Sequence, residues 1–74
     1  MTVAEARAAM SEQTPCEVYV RGGWLPRGWH EGRVISLNDT FVVVTCGTAT
    51  VDVRRANGMR FLRRKGTLEE QFTL

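Results

Sequence analysis

Two cysteines and a single histidine are all that the 74 residues offer as thiol or imidazole ligands. Cys16 and Cys46 stand thirty positions apart with no Cys-x-x-Cys spacing, so neither a disulfide framework nor a zinc-type site is expected, and no cofactor is implied. No stretch approaches the roughly 18 apolar residues of a membrane-spanning helix. The opening Met-Thr-Val-Ala-Glu-Ala-Arg has no apolar core behind a basic head, as a secretory leader would. These absences point to a cytoplasmic chain with reduced thiols. Catalytic patterns are missing too. His30 and Glu31 are neighbours on an expected strand and point to opposite faces. Ser11 and Ser36 lack a glycine elbow, and neither cysteine has a base close in sequence. A non-enzymatic protein is expected.

A chain of this length has room for one small domain, and such a domain buries only about 60% of its unfolded surface. A core of that size supplies roughly 3 to 5 kcal/mol, which leaves self-association as one route to further stability. The formal charge of +2 hides an uneven distribution. Residues 1–20 carry one Arg against three Glu, net −2, and residues 66–74 add −2 from Glu69 and Glu70. Residues 21–65 hold eight Arg and one Lys against Glu31, Asp39 and Asp52, net +6. A basic middle is flanked by acidic ends. Arginine, the dominant cation, is suited to bidentate phosphate contacts and to stacking on rings.

Thr2-Val-Ala-Glu5 has the form of a capping box and opens an alanine-rich run, so a short helix is predicted over residues 3–12, docking through Val3, Ala6 and Met10 and ended by Thr14-Pro15. From Cys16 the period changes to two, with Cys16, Val18 and Val20 on one face and Glu17, Tyr19 and Arg21 on the other. Gly22-Gly23 breaks this first strand, and a loop stiffened by Pro26 leads to a second strand over Trp29–Leu37. Asn38-Asp39 is a tight-turn pair. Thr40–Cys46, β-branched and apolar on both faces, reads as a central buried strand. After Cys46-Gly47, Ala49, Val51 and Val53 alternate with Thr50, Asp52 and Arg54. Residues 55–58 read as one helical turn and Met59–Leu62 as a short fifth strand. Thr67-Leu-Glu-Glu70 is a second capping box, opening a final turn that would pair Leu68 with Phe72.

The expected architecture is mainly β, a five-stranded partly open barrel over residues 16–65, preceded by a helix and linker over 1–15 and followed by a helical tail over 66–74. The run Trp29-His-Glu-Gly-Arg-Val-Ile35, then Phe41–Val44, Val51-Asp-Val53 and Met59–Leu62, resembles the SH3-like barrels, particularly their Tudor and KOW groups. That resemblance covers about two-thirds of the chain and implies a fold shared by many binding functions. At the hairpin Thr45-Cys-Gly-Thr48 there is neither the aromatic residue nor the acid of a methyl-group cage.

The candidate contacts are Trp24, Arg27, Arg33, Arg54, Arg55, Arg60, Arg63, Arg64 and Lys65, with Arg21 beside them. Trp24 sits in a loop, where it either contacts a ligand or folds down to cap the core. Trp29 is expected at the barrel's end or beneath that loop. Cations interleaved with flat rings suit single-stranded nucleic acid, whose phosphates need charge and whose bases need a ring face. RNA or DNA is therefore the expected partner. The alternative is a protein-interaction module, such as a small adaptor or inhibitor of the kind a phage or mobile element carries, docking on a larger host protein. An apolar surround for Trp24 formed by Leu25, Leu62 and Phe72 would favour that alternative.

Overall fold

A computed structural model describes residues 1–65. The second capping box and the Leu68–Phe72 pair lie outside the described residues. Helix α1 spans Val3–Glu12, and its capping box forms as read: the Glu5 amide donates to Thr2 Oγ1 at 3.1 Å and the Thr2 amide to Glu5 Oε1 at 3.0 Å. Those hydrogen bonds hold the Glu5 carboxyl below its ordinary range. Gln13, in the left-handed region, closes the helix. Ala6 and Ala9 are the residues α1 buries, while Val3 and Met10 are half-buried. Small side chains here let the helix backbone approach the barrel closely. The Met1 amine donates to the carbonyls of Leu62 and Met59 at 3.0 and 3.3 Å.

Five antiparallel strands follow: β1 Cys16–Val20, β2 Gly28–Leu37, β3 Phe41–Cys46, β4 Ala49–Arg54 and β5 Leu62–Arg64. They form one unclosed sheet in the order β4-β3-β2-β1-β5, a partly open barrel as expected. The long strand β2 serves two partners. Its residues 28–32 pair with β1, and its continuation from Arg33 to Leu37 pairs with β3. Gly32 lies at the change-over. A Cβ there would come within 2.5 Å of the Thr45 carbonyl oxygen, 2.8 Å of Val44 Cγ1 and 3.0 Å of Cys46 Sγ.

The inward set takes Cys16, Val18 and Val20 from β1, as the alternation indicates, with Val53 from β4, Val34, Leu62 and Ala6; β3, read as apolar on both faces, sends Val42, Val44 and Cys46 inward and leaves Phe41, Val43 and Thr45 half-buried. Two features depart from the simple pattern. The β2–β3 register slips between Val34 and Ser36, leaving Ile35 as the extra residue of a bulge. The slip reverses the phase, so Leu37 packs against the core while Ile35 is 52% exposed. The fifth strand also starts later than its apolar run suggests. Met59–Phe61 form a 3-10 turn, closed by the Phe61 amide donating to the Gly58 carbonyl at 2.9 Å. Leu62, fully buried and opposite Val18, is the residue that has to reach the core, and the strand begins there.

Turn chemistry holds the connections. Asn38 Oδ1 accepts from the Thr40 and Phe41 amides at 2.8 Å, which closes the β2–β3 hairpin. Gly47, at φ +66°, carries the two-residue turn into β4.

Two outcomes test this packing. Gly32→Ala forces a methyl against backbone and is expected to cost about 1 to 3 kcal/mol in urea unfolding; a loss well below this range would show that β2 has room at that point. Burial, then the neighbouring Cys46, pushes the Cys16 thiol from 9.0 up to about 11. The fold thus favours the protonated thiol. Its contribution is complete below about pH 9 and disappears as pH rises towards 11. Stability should fall less across that window in Cys16→Ala than in the parent chain, and parallel pH profiles would contradict the assignment.

Candidate functional site

Alternation along β1 sends Glu17 and Tyr19 to the exterior, and their cross-strand partners are Glu31 and Trp29 on β2 and Arg63 opposite Glu17 on β5. The exterior of β5-β1-β2 is therefore a continuous run of rings and guanidinium groups. Tyr19 meets Trp29 edge-on at 5.5 Å between centroids and lies stacked by Phe61 at 6.0 Å. The Arg63 guanidinium covers the Trp29 ring at 3.8 Å while its Nε donates to Glu17 Oε1 at 3.0 Å. Arg21 and Arg60 pack on Phe61 at 4.8 and 4.9 Å. Arg27 Nε donates to the Tyr19 hydroxyl at 3.3 Å, and Lys65 pairs with Glu31 at 3.0 Å. Each ring orients a cation, and each acid orients a base.

The loop between β1 and β2 joins this face through Arg27 and borders β4 through residues 22–25. His30 Nε2 donates to the Pro26 carbonyl at 2.6 Å, and Leu25 packs against the core, so the segment that follows the loop tip is tied down. Trp24, immediately before that segment, is 99% exposed. Of the two readings of its ring, the cap over the core is the one the geometry rejects. Trp29, read from the sequence as end-of-barrel packing, instead lies on the exterior under Arg63 at 36% exposure.

The sequence candidates separate into groups. Arg27, Arg60, Arg63 and Lys65 share the exterior of β5-β1-β2 and its 3-10 turn. Arg54, on the outer side of β4 at 5.8 Å from the Phe41 ring, shares a second hollow with Arg60. Two others are tied elsewhere. Arg33 donates to the Gln13 carbonyl at the end of α1, and Arg55 donates to the Asn38 carbonyl at 2.7 Å with Asp39 3.9 Å away. Arg64 lines a hollow with Glu5 and Glu12 of α1. Tyr19, Trp29 and Phe61 were not among the candidates. The signal for Tyr19 was present in the period of β1, which puts it beside Arg21 and away from the valines.

Among the described residues no group of three or more His, Cys, Asp or Glu side chains could hold a metal ion, and no helix is long and apolar enough to cross a membrane. No family model, curated protein or solved structure matches the chain.

The stack on Trp29 needs a planar cation. Arg63→Lys keeps the charge and loses the plane, and is expected to lower stability by about 0.5 to 1 kcal/mol with a change in Trp fluorescence. An unchanged emission spectrum together with unchanged stability would show that the stack contributes nothing.

Proposed function

We propose that this chain is a small non-enzymatic binding module that takes single-stranded nucleic acid, RNA or DNA, across the exterior of β5-β1-β2 and the adjoining loop. The observation that carries this reading is the interleaving itself: Tyr19, Trp29 and Phe61 form the floor, Arg21, Arg27, Arg60, Arg63 and Lys65 stand among them, and the loop that supplies Arg27 also carries the exposed Trp24. Arginines that neutralise phosphates release the condensed counterions to solvent, and an unstacked base gains about 1 to 3 kcal/mol on a free ring. Trp24 is the ring with both faces open to a base, whereas the Trp29 ring is covered by Arg63. Two buried, unpaired thiols suit a reducing, cytoplasmic setting.

One observation favours a protein partner instead. Val20, Leu25, Ala49 and Val51 line a hollow with Trp24 between the loop and β4, which gives that ring an apolar neighbourhood. Leu62 is fully buried and takes no part in it. An adaptor or inhibitor would insert this corner into a larger protein, and a second copy of the chain could use it for self-association.

A salt titration of oligonucleotide binding, read by anisotropy, tests the first reading. Affinity should fall steeply with salt, Arg27→Ala should lower the log–log slope by about 1, and Trp24→Ala should cost about 1 to 3 kcal/mol for single strands. A flat salt response, or no binding to any oligonucleotide, contradicts it and leaves the protein partner as the working assignment.

A further inference from the structure

Three arginines stand apart from the others by what their guanidinium groups touch. Arg27, Arg33, Arg55 and Arg63 each donate to an oxygen of the protein. Arg21, Arg54 and Arg60 rest on ring faces, Phe61 for the first and last and Phe41 for Arg54, and none of the three forms an ion pair or hydrogen bond among the described residues. All three line one open hollow between β4, the end of β1 and the 3-10 turn. Its walls are fixed. The Gly58 amide donates to the Arg54 carbonyl at 2.7 Å, and a Cβ on Gly58 would come within 2.8 Å of that oxygen, so the segment carrying Arg60 lies directly against β4.

The other charged group lining the hollow is Asp52, and Tyr19 and Asn57 complete its polar lining. Three cations and one carboxylate leave a surplus of two positive charges. An internal phosphodiester carries one negative charge, whereas a terminal phosphate monoester carries up to two and presents three acceptor oxygens. Ring-stacked guanidinium groups are held at the aromatic faces with their N–H edges open, the arrangement suited to planar, bidentate recognition of such a group. Asp52 offers an acceptor to a sugar hydroxyl and repels a second phosphate.

We infer that this hollow is a subsite for a terminal phosphate monoester at the end of a nucleic-acid strand whose bases lie on the adjoining exterior of β5-β1-β2. The inference rests on the nucleic-acid reading for the strand but not for the phosphate. It predicts that the module distinguishes phosphorylated strand ends from hydroxyl ends.

The test compares short oligothymidylates ending in a 5′-phosphate, a 3′-phosphate or hydroxyls alone, each against a hydroxyl-ended strand lengthened to match its charge, with the full chain at about 0.15 M salt. One phosphorylated end should bind about tenfold more tightly than its charge-matched control. Arg54→Gln should remove that preference and change affinity for the hydroxyl-ended strand less than about twofold, since Arg54 lies off the ring-covered face. Thymidine 5′-monophosphate and thymidine 3′-monophosphate, followed by NMR at the Arg21, Arg54 and Arg60 side chains, give a readout independent of the strand. If a mononucleotide moves those signals and no oligonucleotide binds, the phosphate subsite stands and the strand-binding reading fails. If oligonucleotides bind with no end preference and neither mononucleotide shifts those signals, the subsite is overturned and the strand-binding reading survives.

Discussion

Gly32 is the position on which the barrel turns. It is buried where β2 leaves β1 for β3, with Cys16 opposite it on one side and Cys46 Sγ 3.0 Å from where its Cβ would stand on the other. Any side chain there would push against the Thr45 backbone, so the two halves of the sheet would close over the valine core only by shifting apart. Closure has a chemical consequence, because Cys16 is fully buried, donates to the Gly32 carbonyl at 3.4 Å and is held protonated by its surroundings. It also has a functional one. Once β1 is fixed against β2, Tyr19 must lie beside Trp29 on the outside. The core and the exterior ring cluster are opposite faces of the same strand pairing.

The exterior cluster shows why arginine predominates in this chain. A lysine could pair with Glu17, but it would not lie flat on Trp29 while doing so, as Arg63 does. Arg55 and Arg33 do different work, tying the β2–β3 hairpin and the end of α1 to the rest of the molecule. The basic middle of the sequence is thus divided between structural ties and cations held on rings, and the second group gives the surface its character.

Much of the fold was legible because its causes are local. The capping box at Thr2 and Glu5, the alternation of Cys16, Val18 and Val20, and the wet face of β4 each follow from neighbours a few residues away. The bulge at Ile35 and the late start of β5 at Leu62 were not legible, since each is set by which residue meets a partner strand distant in sequence. The site divides in the same way. An exposed Trp24 agrees with its glycine-rich loop. The clustering of Arg63, Trp29, Tyr19 and Phe61 depends on three separate segments meeting in register, and no short window of sequence contains it.

The most direct test of the central claim is an amide and indole NMR map of the full chain titrated with a short single-stranded oligonucleotide. The expected shifts fall on Tyr19, Arg21, Trp29 and Phe61 and on the indole N–H of Trp24, while Val42 and Val44 of the core stay in place. Shifts confined to α1 and the second half of β2, or none at all, would contradict a nucleic-acid surface on the exterior of β5-β1-β2.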